Sequence, residues 1–326
     1  MASRAGKKTK LPWNEGERPL MLAPMQGLTN RALRGLFIDR YAPDVVFTEY
    51  VLVRSGGRKP VSPSDRKEIK CDTHEVPLVV QLIGSEIRAL VEAARIVQDL
   101  GAKHININLG CPFGRMANKK AGGTLLQDPS QLEGILSSLR PHIHGSFSVK
   151  VRSGMEDSSE LPSLIDVFEK CGVDFMIVHP RTVQQKYDGS ADHQVTAEAV
   201  KKTSMPVIAN GDIFTMADGQ LVFEKTGAAG LMLGRGAIAD PLLFKRIRGE
   251  YETESSVNTR GEELKRYLYE LLDRYKELFC GEQQVLAKMK EVLCQIRDPE
   301  FRKQVKRMLR SKEVGGFAEE LERLGN

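Results

Sequence analysis

A single thiol follows a polar run in the first half of the chain. Cys111 stands in the segment INLGCP, and Asn106 and Asn108 lie two residues apart just before it, so in a strand they share one face. A structural cysteine usually lies inside an apolar run, whereas Cys111 sits in a Gly-Cys-Pro loop with Lys119 and Lys120 nearby. This context favours a thiol that acts on a ligand over a structural cysteine.

Charged and aromatic-ring donors occupy the next two apolar runs. Lys150 and Arg152 alternate with valines, so both point to one side of a sheet. An anionic ligand could pair with them there, and the alternative partner is a strand-end acid such as Glu49. His179 and Arg181 begin the polar segment HPRTVQQKYDGSAD. Their position at a strand end favours ligand contact over a buried structural histidine.

Two glycine-containing turns point to a phosphate. Asn210, Gly211 and Asp212 follow one short apolar run, and Gly234 and Arg235 follow the next. Parallel barrels commonly hold phosphate with backbone N–H groups after their last two strands, and an arginine there adds positive charge. Each turn alone is routine, but the two together predict a phosphorylated cofactor.

Weaker signals come from the first and third apolar runs. Pro24, Met25 and Gln26 form a turn-like segment whose backbone could approach a flat ligand closely. Gln81 ends the third run and can both donate and accept hydrogen bonds, as the polar edge of a flavin or pyrimidine requires. Taken alone, each fits an ordinary turn or strand end equally well.

These residues need a scaffold that brings strand ends together. From about residue 20 to 240, short apolar runs alternate with segments of helical period, the pattern of repeated βα units. Eight runs in this length predict a (β/α)8 TIM barrel rather than an open doubly wound sheet, with its working residues at the C-terminal strand ends. The predicted strands are Leu20 to Ala23, Val45 to Glu49, Leu78 to Leu82, His104 to Leu109, Ser148 to Arg152, Phe175 to His179, Val207 to Ala209 and Gly230 to Leu233.

The pattern changes after Pro241, where charged helical segments replace the strand-like runs. We expect a basic N-terminal arm at residues 1–18, a catalytic barrel at 19–249 and a smaller domain of three or four helices at 250–326. In residues 301–310 apolar residues form a stripe on one side of the predicted helix and basic residues lie on the other side. We expect the basic side to contact phosphate and not only solvent. The basic residues are Arg302, Lys303, Lys306, Arg307 and Arg310.

Composition narrows the class of protein. The chain has 326 residues, of which 41% are hydrophobic and 28% charged, as in ordinary globular proteins. It has no apolar run of membrane-spanning length and no apolar signal-peptide core, so we expect a cytoplasmic monomer without membrane contact. Its five cysteines are widely spaced and never in a CxxC pair, which argues against disulfides or a metal site. The net charge of +5 supports a polyanionic partner only weakly.

In their order, the motifs resemble those of the tRNA-dihydrouridine synthases. The resemblance covers residues 20 to 244, and GCP after the fourth strand combined with the HPRT, NGD and GRG segments makes it specific. The segments that carry it are APMQGLTNRALR, QLIG, INLGCP, VKVRSG, HPRTVQQKYDGSAD, ANGDI and GRGAIADP. The sequence departs from the family pattern at Pro180, where glycine is frequent, and at His193, where tryptophan is frequent.

The resemblance implies an FMN enzyme that takes electrons from NADPH and reduces uridine in folded tRNA. Cys111 would be the proton donor. Asn108 and Arg181 would contact the target base or its surroundings, and Arg152 would be a further substrate-binding residue. The C-terminal helices would bind the tRNA. The implied FMN-binding residues are Pro24, Met25, Gln26, Gln81, Lys150, His179, Asn210, Gly211, Asp212, Gly234 and Arg235.

The implied chemistry requires an acid that faces the flavin. Saturating the C5–C6 bond of uracil takes a hydride at one carbon and a proton at the other. A thiol has an ordinary pKa of about 8.5 and is therefore mostly protonated at neutral pH. The base must also leave its stack to enter a barrel mouth, which favours a nucleotide in a loop.

Two other classes of protein fit parts of the sequence. An FMN barrel that acts on a free small molecule, as in dihydroorotate dehydrogenases, shares the scaffold and the ring chemistry, but the basic tail argues against it. A non-catalytic RNA-binding barrel is disfavoured by Cys111 and the phosphate turns. Flavin absorbance of the purified protein would exclude the non-catalytic barrel, and assay with tRNA would identify the substrate.

Overall fold

The apolar runs of the sequence form a closed parallel barrel. The structure, a computed structural model, describes residues 11–56, 59–70, 75–112, 120–252 and 256–324. β1 pairs with both β2 and β9, and β2 pairs with β4, so eight strands close on themselves. The two-residue β3 lies beside the end of β4. The strands are β1 Leu20–Leu22, β2 Val45–Phe47, β3 Val51–Leu52, β4 Leu78–Ile83, β5 His104–Leu109, β6 Ser146–Arg152, β7 Phe175–His179, β8 Val207–Asn210 and β9 Gly230–Leu233.

The predicted TIM barrel is thereby confirmed. All eight predicted strands are present, and their ends differ from the prediction by at most two residues. The short β3 was not predicted, because two residues carry no periodic signal.

Alternation along the strands decides which side chains point into the barrel. Phe147, Val149 and Val151 of β6 pack outward against the surrounding helices, so the residues between them point inward. The inward row of β6 ends with Lys150 and Arg152. Polar inward residues at the C-terminal ends of neighbouring strands therefore meet in the barrel mouth, as the sequence predicted.

Helices cover the barrel and continue beyond it. Glu86 accepts hydrogen bonds from the backbone N–H groups of Arg88 and Ala89 at the start of α3. In the described residues the helices are α1 Arg31–Tyr41, α2 Pro63–Lys70, α3 Ile87–Asp99, α4 Pro129–Leu139, α5 Leu161–Lys170, α6 His193–Lys202, α7 Met216–Thr226, α8 Arg235–Ala239, α9 Leu243–Ile247, α10 Val257–Leu278, α11 Glu282–Leu293, α12 Arg302–Arg310 and α13 Val314–Glu322. Short 3-10 helices are Gly122–Gln127, Arg140–His142, Ser158–Glu160 and Pro299–Phe301.

The start of the described chain closes the floor of the barrel. Leu11 and Trp13 pack against the inward residues of the strands, and the Trp13 ring meets Phe175 edge-on at 4.9 Å between centroids. Residues 11–18, predicted as part of a basic arm, thus contact the barrel. Residues 1–10 of that predicted arm lie outside the described residues.

The C-terminal helices share one apolar core with the barrel. Phe37 and Tyr41 of α1 contact Tyr267 of α10, with ring centroids 6.2 and 5.9 Å apart, and Leu268 and Leu271 lie in the same buried cluster. Ion pairs such as Arg40 with Glu270 border this contact. α10 to α13 are therefore attached to the barrel over a buried surface. Within the described residues, no helix combines the length and apolarity needed to cross a membrane.

Candidate active site

The two glycine turns after β8 and β9 meet in a small cavity of about 90 Å³. Gly211 has a φ of +123°, and a Cβ there would lie 3.0 Å from Ala191 and 3.3 Å from His179. Gly236 packs against the carbonyl of Ile213, only 2.0 Å from where its Cβ would be. Only glycine allows this close approach of the two loops. The cavity has room for a phosphate group, whereas whole ligand pockets usually enclose about 300 Å³ or more.

Positive charge surrounds this cavity. Asp212 accepts hydrogen bonds from Arg181 at 2.5 Å, from Arg235 at 3.1 Å and from the Ala191 N–H at 2.8 Å. Burial alone would raise the pKa of Asp212, but these hydrogen bonds and both arginine charges lower it below its ordinary value. Two arginines share one carboxylate, so the group keeps a net positive charge that suits a phosphate.

Lys150, His179 and Asn210 form the inner wall. The Lys150 Nζ donates to Asn210 Oδ1 at 2.8 Å, and Asn210 Nδ2 donates to the Met232 carbonyl at 2.8 Å. Burial, followed by the charges of Lys150 and nearby arginines, lowers the pKa of His179 well below its ordinary value. The ring is therefore neutral at physiological pH, and its Nε2 accepts from the Arg181 guanidinium at 3.2 Å.

Hydrogen-bonded polar side chains of β4 and β5, the polar ladder, hold the loop that carries Cys111, the thiol loop. Asn108 Oδ1 accepts from the backbone N–H groups of Gly110 at 3.1 Å and Cys111 at 2.9 Å, and its Nδ2 donates to Gln81 Oε1 at 2.8 Å. Gln81 donates in turn to Asn106 at 2.8 Å. Cys111 itself is partly exposed beside the inward ends of β4 and β5. The sequence prediction of a strand-end thiol outside the packed interior agrees with this placement.

The ladder includes Gln81, which the sequence predicts as a cofactor contact. Its side chain is 0% exposed, and both of its polar atoms are bonded to asparagines of β5. Its hydrogen bonds in this arrangement are made within the protein. Gln81 orients Asn108, whose own carbonyl oxygen is engaged by the thiol loop.

Arg152 and Arg181, both predicted to contact substrate, are 2% exposed and bind the protein's own loops. Arg152 donates to the carbonyls of Gly110 at 2.9 Å, Thr182 at 2.8 Å and Lys186 at 2.6 Å. Arg181 donates to Asp212 and to the Gly189 carbonyl at 2.6 Å. In this arrangement the two guanidinium groups position the loops around the mouth, and their predicted contact with substrate stays a prediction. The alternative partner Glu49 instead accepts a hydrogen bond from the Gly27 N–H at 2.9 Å.

Several residues of the mouth were not predicted. The Tyr187 ring lies over the cavity with the Arg235 guanidinium 4.6 Å from its centroid, and it is 48% exposed. Phe214 also lines the cavity, and Arg297 from the loop after α11 stacks on it at 4.2 Å. An aromatic residue in a polar loop was the available signal for Tyr187. Nothing local in the sequence indicates that Arg297 reaches the barrel.

The departure from the family pattern at His193 has a structural role. His193 is 8% exposed, and its Nε2 lies 2.9 Å from the Gly211 carbonyl, to which it donates. His193 therefore stabilises the Gly211 turn through this hydrogen bond. Pro180 accepts from the Asp192 N–H at 3.1 Å, which closes the loop that carries Tyr187.

The remaining predicted residues divide between the cavity wall and the surface. Pro24, Met25, Gly234 and Arg235 line the cavity, whereas Gln26 is exposed and lies outside its lining. Cys171 is buried, and Cys280 and Cys294 are exposed on the helical region or next to it. Lys119 and Cys71 lie outside the described residues. The described residues contain no cluster of three or more His, Cys, Asp or Glu side chains suited to a metal ion.

Lys150 gives this site a testable pH dependence. Burial, with a smaller contribution from Arg152, lowers the pKa of Lys150 from 10.5 to about 7. Because the folded state disfavours the charged form, the ligand-free protein should become more stable as pH rises from 7 to 9, and Lys150→Met should abolish this rise. The histidines with lowered pKa values titrate below this window. Thermal midpoints of both proteins at pH 7 and 9 provide the measurement, and an equal rise in the variant would exclude Lys150 as its source.

Together the fold and the site define a class of protein. It is a parallel barrel whose mouth holds both a partly exposed thiol and an anion cradle, the cavity between the Gly211 and Gly234 turns. The family model for dihydrouridine synthase (Dus) matches residues 21–324. The chain therefore belongs to the dihydrouridine synthase family.

Named relatives agree with this membership. A probable tRNA-dihydrouridine synthase of Rhodobacter capsulatus is 34% identical over 231 residues, covering 70% of this chain and 70% of that protein. tRNA-dihydrouridine synthase B of Pseudomonas aeruginosa is 34% identical over 229 residues, covering 70% and 68%. The tRNA-dihydrouridine(16) synthase of Cupriavidus necator is 34% identical over 238 residues, covering 71% and 73%.

A solved structure supports the fold independently. The crystal structure of TcOYE with pHBA covers 73% of this chain and 91% of its own, with a TM-score of 0.53 and 12% sequence identity. At this identity the likeness shows the barrel fold alone.

Proposed function

We propose that this protein reduces the C5–C6 double bond of a uridine in tRNA to 5,6-dihydrouridine, with bound FMN and with NADPH as the source of electrons. The observation that carries the proposal is the partly exposed Cys111, held by Asn108 at the same end of the barrel as the anion cradle. Membership of the dihydrouridine synthase family and the names of the relatives support it.

The residues of the mouth fit FMN. The cavity between Gly211 and Gly234 matches a phosphate in size and charge, because Arg235 lines it and Asp212 holds the turn by its carboxylate. Lys150, His179, Asn210 and Met25 line the same cavity, so the flavin ring would lie towards them across the open end. Pro24 would pack beside the ring, while Gln26 and Gln81 would act only through their neighbours.

The reaction divides between cofactor and protein. FMN held by these residues would, once reduced, supply the hydride that one carbon of the uracil C5–C6 bond requires. Cys111 donates the proton that the other carbon requires, which balances the addition of two hydrogen atoms. Asn108 keeps the thiol loop in place by accepting from its backbone, and Arg152 holds the same loop at the Gly110 carbonyl. Positioning of this kind contributes to rate because a displaced acid donates poorly.

The helical region provides a surface for the rest of the tRNA. Arg302, Lys303 and Lys306 on α12 are exposed, and within the described residues no carboxylate pairs with them, whereas Arg307 faces Glu320 at 3.8 Å. Arg297 is also exposed, has no ion-pair partner in the described ranges, and lies beside the mouth on Phe214. We place tRNA phosphates on a path from the basic residues of α12 past Arg297 to the barrel mouth. The helices would then orient the RNA and thereby select the uridine that is reduced.

The basic face of α12 is tested by salt dependence. Replacing Arg302, Lys303 and Lys306 together by alanine should weaken tRNA binding about tenfold and reduce the slope of log affinity against log salt by about 2, since each lost phosphate contact removes about 0.7 to 0.9. The matched control replaces three exposed lysines of the barrel, Lys103, Lys201 and Lys225. A slope unchanged in the α12 variant, or reduced equally in the control, would place the tRNA elsewhere.

The proposed reaction is tested by reconstitution. FMN, NADPH and tRNA transcribed without modifications are mixed with the protein, and digested nucleosides are analysed by mass for a gain of two hydrogens. Free uridine and orotate are assayed in parallel. We expect dihydrouridine only in the tRNA sample, while reduction of a free pyrimidine with tRNA unchanged would favour the small-molecule class of enzyme. We further propose a cytoplasmic monomer that needs no metal ion, which sedimentation and activity in chelator would test.

A further inference from the structure

The loop after β1 is held from two sides at one residue, Gly27. Gly27 donates its N–H to Glu49 Oε2 at 2.9 Å, and its carbonyl accepts from the Lys288 Nζ at 2.9 Å. Glu49 follows β2 of the barrel, whereas Lys288 belongs to α11 of the helical region. Met25, two residues before Gly27, lines the cavity proposed for FMN. One side of this loop therefore contacts the cofactor site and the other contacts α11.

The fit between this loop and α11 is close. Gly27 has a φ of +86°, and a Cβ there would lie 3.0 Å from Glu291 Oε2 and 3.6 Å from Lys288 Nζ. Lys288 pairs with Glu291 at 2.9 Å, and its side chain is 23% exposed. The lysine is thus fixed between a carboxylate of its own helix and the carbonyl of the loop.

A second contact holds the same loop further along. Asn30, which accepts from the backbone at the start of α1, donates from Nδ2 to the Tyr275 hydroxyl of α10 at 3.4 Å. Both side chains are buried. The segment from Met25 to Asn30 is therefore bordered by α10 and α11 at two points, and Glu49 holds it from the barrel side at Gly27.

We propose that Lys288 and Glu49 are positioning residues for the cofactor, which together fix the backbone on both sides of the Gly27 Cα and so set the place of Met25 in the FMN site. The helical region thereby has a role in cofactor binding besides contact with RNA. This inference rests on the proposed function, since it requires that the mouth binds FMN. A shift of α11 on binding RNA would reach the flavin through this lysine.

The test compares two lysines of one helix. Lys288→Met keeps the apolar stem and removes the donor to Gly27. Lys290→Met is the matched control, because Lys290 donates to the Ser311 carbonyl at 2.6 Å inside the helical region. FMN is titrated into flavin-free full-length protein and followed by quenching of its fluorescence. We expect about tenfold weaker FMN binding and an altered visible flavin spectrum for Lys288→Met, since charge-assisted hydrogen bonds are among the strong ones, and neither change for Lys290→Met.

Two further variants separate positioning from loss of fold. Lys288→Arg keeps a charged donor and should restore FMN affinity to within about twofold to threefold of wild type, a smaller loss than one hydrogen bond. On the barrel side, Glu49→Leu should weaken FMN binding while Glu49→Gln, which keeps an acceptor for the Gly27 N–H, should weaken it less. Wild-type affinity and spectrum in both Lys288→Met and Glu49→Leu would overturn this inference and leave the proposed function intact. Absence of FMN binding by the wild type would instead overturn the proposed function.

Discussion

Cys111→Ala is expected to lower dihydrouridine formation about 10²- to 10⁴-fold, the usual contribution of a positioned general acid. FMN binding and reduction of the bound flavin by NADPH should stay close to wild type, because the cavity lining does not include Cys111. The variant should therefore accept electrons and fail only at the step that protonates the base. Single-turnover assays with pre-reduced enzyme and tRNA measure that step directly.

The control for Cys111 is Cys294, an exposed thiol of the helical region. Cys294→Ala removes a cysteine at the end of α11 that does not line the cavity, and it should leave turnover unchanged. Equal product from Cys111→Ala and wild type would remove this thiol from the chemistry. Loss of FMN binding in Cys111→Ala would instead assign the thiol to the cofactor site.

The second large effect is expected for Arg152→Met. This guanidinium joins the thiol loop at Gly110 to the loop at Thr182 and Lys186, and the side chain is 2% exposed. Its loss leaves three carbonyls without their donor, so we expect a decrease in the free energy of unfolding of about 3 kcal/mol or more. Activity should fall on the order of 100-fold, because misplacing a catalytic group by about 1 Å has effects of that size.

Denaturant titration and single-turnover kinetics measure these two effects. Arg88→Met, at an exposed position on α3, is the control and should change neither. If Arg152→Met keeps wild-type stability but loses affinity for tRNA, Arg152 contacts substrate, as the sequence originally predicted. Loss of stability together with unchanged tRNA affinity supports the positioning role.

Local patterns in the sequence were sufficient to predict the barrel and the order of its functional loops. The alternation of Lys150 and Arg152 with valines placed both inside the barrel, and the turns at Gly211 and Gly234 meet as expected. These predictions succeeded because period-two alternation and strand-end position depend on neighbouring residues only.

The roles of individual polar side chains could not be predicted in the same way. Gln81 and Asn108 bind each other across 27 positions of sequence, and Arg152 binds carbonyls 30 and more positions away. Whether such a group faces a ligand or a neighbouring loop depends on the register between strands and on loop conformation. The alternation with valines thus placed Arg152 in the barrel, whereas the loop carbonyls that it binds could not be predicted from that alternation.

The contacts of the helical region were the least predictable. The sequence indicates the amphipathic helices themselves, but it does not distinguish Lys288 from Lys290, the other lysine of α11. Its contact with Gly27 spans 261 positions and depends on how the apolar core between α1 and α10 orients α11. Packing of that kind is determined by the whole interface, which no single segment encodes.

The most direct test of the central claim is an experimental structure of the FMN complex. The proposed reaction requires a phosphate held between Gly211 and Gly234, the ring across the mouth, and the Cys111 sulfur facing the ring. We expect a gap of about 6 to 7 Å between sulfur and ring, since a pyrimidine must fit with reacting atoms about 3 to 3.5 Å away on each side. A sulfur turned away from the ring, or FMN bound outside this cavity, would contradict the account.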